Sequence, residues 1–78
     1  MADTRAVLPM WIVYDRPTDF PDHYVARCHH VTGRGTRPTT LVIKAETLDA
    51  LREALRNMGL TRIGRDPSDE PQIVETWL

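Results

Sequence analysis

The chain has 78 residues, a formal net charge of −1, 41% hydrophobic and 27% charged residues. That suits one soluble domain, leaves too little for two cores, and gives no global attraction to nucleic acid or anionic membrane. The single cysteine excludes an internal disulfide, and no apolar run approaches the ~20 residues that cross a bilayer. The expectation is a cytoplasmic protein without membrane contact.

Residues 1–8 carry no pattern and read as a flexible leader, with a single α+β domain over 9–78. Residues 10–14, Met-Trp-Ile-Val-Tyr, form an apolar run rich in aromatic and β-branched side chains, the pattern of a strand placed centrally in a sheet. Residues 15–22 hold three aspartates and two prolines, so the strand ends there in an ordered loop, with Phe20 as its plug onto the core. Residues 23–32 resume a strand. Tyr24, Ala26, Cys28 and His30 share the face expected beneath a helix, and Val25, Arg27, His29 and Val31 share the other. Residues 33–38 read as a flexible hairpin connection. Residues 39–45 read as a third strand with Leu41 and Ile43 inward.

The helix signal is the strongest in the chain. Leu48, Leu51, Leu55 and Met58 recur at helical spacing with Ala54 on the flank, while Asp49, Arg52, Glu53, Arg56 and Asn57 fall on the polar side. Thr47 is the expected N-cap, and Gly59 the left-handed residue that ends the helix, with Leu60 closing back toward Leu55. Beyond it, residues 60–65 fit a short strand or an extended connection, and residues 66–71 fit a loop. Residues 72–78 read as a last strand in which Ile73, Glu75 and Trp77 alternate with Val74, Thr76 and Leu78. The order is βββαβ: a mostly antiparallel sheet of about four strands with one helix on one face, the last strand lying beside the first.

No spacing specifies an activity. Cys28, His29 and His30, with His23, contain zinc-ligating atoms, but on a strand Cys28 and His30 face away from His29, and no second Cys or His pair completes a tetrahedron. For the same reason Cys28 and His29 cannot pass a proton, so a nucleophilic site is not expected. Asp15, Asp19 and Asp22 lack the glycine and terminal glutamate of an EF-hand loop and read as turn residues. The expectation is no catalytic residue, no metal and no cofactor.

Charge is unevenly placed. Between residues 27 and 44 the chain carries Arg27, Arg34, Arg37 and Lys44 and no acidic residue, whereas residues 66–78 carry four acidic residues and no basic one. Arg34 and Arg37 fall on the hairpin, suited to phosphates or to a partner's carboxylates. The hairpin offers no aromatic platform for bases. A polarised surface of this kind fits a protein partner or self-association at least as well as nucleic acid, and ordinary solvated charge accounts for it equally simply.

Two segments carry a resemblance. Residues 11–27, WIVYDRPTDFPDHYVAR, and 59–78, GLTRIGRDPSDEPQIVETWL, are similar to the two ends of a family of short uncharacterised bacterial and phage-associated proteins with a YDxPxDxPxxYVxR start and a DxPxIVExWL ending. The resemblance implies no activity, but it places Asp15, Pro17, Asp19, Pro21, Arg27, Asp69, Pro71, Glu75 and Trp77 in one shared design. The Tyr24-Val25 pair after an acidic turn, with the βββαβ order, also resembles HicB-type antitoxins, whose Pro-Gly-Cys segment and DNA-binding extension this chain lacks. The expected function is a small non-enzymatic protein-interaction domain. The alternative is a weak phosphate or nucleic-acid binder working through Arg34 and Arg37, as an antitoxin-like or phage-related accessory protein.

Overall fold

The computed structural model describes residues 7–64 and 71–78. The chain forms β1 (Leu8–Asp15), β2 (Tyr24–Thr32), β3 (Gly35–Ala45), α1 (Leu48–Asn57), β4 (Arg62–Gly64) and β5 (Ile73–Trp77). One five-stranded sheet results, in the order β3-β2-β1-β5-β4, antiparallel at every pairing. The apolar run of β1 occupies its centre, with β5 beside it. Helix α1 leaves one edge strand, β3, and delivers the chain to the opposite edge, β4, so it crosses a single face. The sequence left residues 60–65 open between strand and connection; three of them form β4.

Helix α1 begins and ends for local reasons. The Thr47 side chain accepts a hydrogen bond from the Ala50 N–H at 3.1 Å. Gly59 adopts φ 84°, its N–H donating to the Arg56 carbonyl at 2.9 Å while the Leu60 N–H reaches the Leu55 carbonyl at 3.3 Å. This pair of bonds is a Schellman ending, which needs a residue at ease with positive φ. Leu51 and Leu55 are fully buried against Trp11, Val13, Ala26, Cys28 and Trp77, with Tyr24, Ile43, Ala45, Leu48, Leu60 and Val74 around them. Thus the Tyr24-Ala26-Cys28 face of β2 does lie beneath the helix.

Several expectations need correction. Strand β3 starts at Gly35, so only Gly33 and Arg34 are left as the turn; Thr36, Arg37 and Pro38 pair with Val31, His30 and His29. Pro38 is tolerated because β3 is an edge strand, where a missing N–H need not cost a ladder bond. The β2–β3 register shifts between Arg27 and His29, and there the Thr39 hydroxyl donates to the Cys28 carbonyl at 2.9 Å and accepts from the Leu41 N–H at 3.1 Å. Leu41 is 54% exposed rather than inward, and Met58, as the C-cap, is 48% exposed rather than part of the buried stripe. In β5 a register shift opposite Val13 and Tyr14 breaks the alternation. Glu75 and Trp77 stay on the core face, Ile73 pairs with Tyr14, and Val74 packs on the core instead.

Candidate interaction surface

Among the described residues, one face of the sheet carries α1 and the other carries no helix. On the uncovered face the β1 residues Leu8, Met10, Ile12 and Tyr14 stand opposite Val31, His29, Arg27 and Val25 of β2. These in turn stand opposite Thr36, Pro38, Val42 and Lys44 of β3. The Asp15–Tyr24 connection folds over one end of this face. Phe20 lies beneath two cations, with Lys44 Nζ 4.8 Å and the Arg27 guanidinium 6.0 Å from its ring centroid. Lys44 is the cross-strand partner of Val25, which is fully buried although it faces away from the helix. Phe20 therefore anchors its loop on the second face of the sheet, and not on the main core. Arg27 also donates to Asp19 within the same loop. The resulting hydrogen bond holds the Asp19 carboxyl below its ordinary value. Arg16, at φ 45°, makes the turn into this loop, with its guanidinium 2.6 Å from the Asp15 carboxylate and over the Tyr24 ring.

The other end of the face stays open. Leu8 is 51% and Val42 36% exposed, with Met10, Ile12 and Val31 half-buried between them. His29 sits among these apolar side chains. Its Nε2 is buried with no hydrogen-bond partner among the described residues, and burial, helped by the Arg27 charge, lowers its pKa from 6.5. A neutral imidazole therefore belongs to this surface.

Arg27, Arg34, Arg37 and Lys44 do not form one patch. Arg27 and Lys44 meet over Phe20 at the loop-covered end. Arg34 and Arg37 are exposed at the hairpin, with Arg37 seven positions from Lys44 along β3, roughly 20 Å away. Arg37 also pairs with His30, on the helix side of the sheet.

Beneath the helix lies a network that sequence reasoning assigned to no site. Glu75 is only 2% exposed, and its carboxylate accepts from Arg52 Nη2 at 2.8 Å, Arg52 Nε at 3.1 Å and Trp77 Nε1 at 2.8 Å. Arg62 stands 3.7 Å away on β4. Burial pushes the Glu75 carboxyl up, but the Arg52 and Trp77 hydrogen bonds, with the Arg52 and Arg62 charges, outweigh it and hold the group below its ordinary value. Arg52, placed on the polar side of the helix by its spacing, in fact flanks the buried stripe four residues after Leu48. The readable signal was a glutamate at an inward strand position beside Trp77, which demands a buried cation.

Of the remaining motif residues, Asp15 and Pro17 are tied into the fold. Pro17 is buried, and the Asp15 N–H donates to the Gln72 carbonyl at 2.8 Å, so the two similar segments meet at the start of β5. Pro21 and Pro71 are exposed, and Asp69 lies outside the described residues. Cys28 is buried in the core and His29 is on the opposite face. Among the described residues no three His, Cys, Asp or Glu side chains converge as a metal site, and no helix is long and apolar enough to cross a membrane. A comparison with protein-family models, curated proteins and solved structures finds no match.

Proposed function

We propose that this chain is a non-enzymatic protein-interaction domain that works through the uncovered face of its sheet. The observation that carries the reading is the contrast between the two faces. One is covered by α1; the other keeps Leu8, Met10, Ile12 and Val31 on neighbouring positions of β1 and β2, with Val42 across Arg27 on β3, all partly open to solvent. A domain this small has little apolar surface to spare, and a contiguous exposed patch is the usual mark of a contact surface. The Glu75 carboxylate is taken up by Arg52 and Trp77, which supports a structural role for it rather than a chemical one.

The test is a tagged pull-down from the native host, with and without nuclease, using the wild-type chain, a Leu8→Glu/Val42→Glu variant and a Glu53→Lys control on the exposed side of α1. The reading expects a nuclease-resistant protein partner that the face variant loses and the control keeps. Co-purifying nucleic acid, lost on Arg34→Ala/Arg37→Ala, would support the phosphate-binding alternative instead.

A further inference from the structure

The sheet's two edges are unequal. At one end β4 is three residues long, carries a register irregularity and finishes in Gly64 at φ 106°. At the other, β3 runs eleven residues and has only β2 beside it among the described residues. A strand with a single neighbour turns every second N–H and C=O outward, ready to pair with another chain. Part of that edge is already blunted. Pro38 has no N–H, and the Leu41 N–H is held by the Thr39 hydroxyl. Residues 42–45 form the regular stretch after this interruption, and residues 35–37 the one before it.

The charges beside the edge are all of one sign over this length. Arg34 and Arg37 flank the hairpin stretch and Lys44 the far stretch, each exposed, with no acidic residue between 34 and 44. Leu41 and Val42 stand exposed between the two poles. A second copy of this chain fits the edge poorly. Antiparallel self-pairing about the middle of β3 brings the Arg37 end of one copy alongside the Lys44 end of the other, two basic ends with no carboxylate between them although the two side chains lie on opposite faces, and β4 is too short to cover it. An incoming strand with carboxylates near its ends and apolar residues at its middle matches both features.

We infer that β3 is the docking edge for an extended acidic segment of a partner polypeptide, which adds to the sheet as a sixth strand. The backbone supplies pairing, Leu41 and Val42 the apolar contacts, and Arg34, Arg37 and Lys44 the selection for acidic sequence. This inference rests on the protein-contact reading but names a different part of the molecule from the apolar face.

The experiment pans an unbiased random-peptide display library on the immobilised domain and on Arg37→Glu/Lys44→Glu, with amide NMR spectra of each to establish the native fold. Enriched peptides should be acidic and alternating, and should shift the amides of residues 35–37 and 42–45 saturably. Their affinity should fall about tenfold or more on the double variant, which should itself select basic peptides. Arg37→Glu alone, which leaves Lys44 on Phe20, should show the same trend more weakly. Peptides that lose binding on Leu8→Glu but not on the β3 variants would overturn the edge proposal and leave the protein-contact reading standing. Absence of any selected peptide would overturn both. Concentration-dependent dimerisation with the same β3 amide shifts would replace the acidic partner by a second copy.

Discussion

Glu75 of β5 and Arg52 of α1 are joined by two close hydrogen bonds, 2.8 and 3.1 Å, across a gap of 23 residues in sequence. With Trp77 Nε1 on the same carboxylate, they tie the helix to the half of the sheet beyond β1. Removing one partner strands a charge in the interior, which costs far more than the pair contributes when intact.

Glu75→Gln should therefore destabilise the domain by about 2–3 kcal/mol, at the low end for a broken buried pair because Arg52 can turn toward water. The folded carboxyl has a lowered pKa, so its stabilisation is complete above the ordinary value of 4.5 and is lost as pH falls from there through the folded value. Urea melts of wild type and variant across acid pH check this. The wild type should lose stability below pH 4.5 more steeply than Glu75→Gln; parallel curves would contradict the network.

Leu55→Ala should cost about 2–5 kcal/mol, since a fully buried leucine leaves a cavity under the helix. Met58→Ala, at an exposed C-cap, should stay within about 0.5 kcal/mol. Denaturant unfolding of both separates a docked helix from one that merely forms. A loss below half a kilocalorie in the leucine variant would show that α1 is not packed on the sheet as described.

Stoichiometric zinc should leave the Cys28, His29 and His30 NMR signals in place, because Cys28 is buried and His29 faces the other side of β2. Saturable movement of Cys28 and His30 together would reveal a metal site.

Short oligonucleotides should bind no tighter than about 10⁻⁴ M at physiological salt, because Arg34 and Arg37 lack a stacking platform. Any binding should weaken by about 0.7–0.9 log units per phosphate contacted for each tenfold rise in salt. Arg34→Ala/Arg37→Ala should remove it without unfolding the domain. A tight, sequence-dependent complex, measured by fluorescence anisotropy, would favour the nucleic-acid reading.

What could be read from the sequence follows the range of the interactions. Thr47, Leu51, Leu55 and Gly59 act through neighbours within a few residues, so the helix and both its ends were legible. The central place of β1 followed from its unbroken apolar run. By contrast, Gly33, Gly35 and Pro38 resemble a loop locally, and only pairing with β2 makes residues 35–38 a strand. Arg52 looked solvated until the buried glutamate opposite it was placed. The run of basic residues between 27 and 44 was visible in the sequence, but not that the extended strands carry Arg37 far from Lys44 and onto the other face. The open apolar face was hidden in the apolar run of β1, since Met10 and Ile12 pattern like core residues and Leu8 like a leader until one sees that α1 lies on the other side of the sheet.

The central claim, contact through that face, is tested most directly by placing a photo-crosslinking amino acid at Leu8 or Val42, and at Glu53 as a control, in cells of the native host. The account predicts a discrete, nuclease-resistant protein adduct from the first two positions and none from the third. Adducts to nucleic acid, or equal adducts from Glu53, would contradict it.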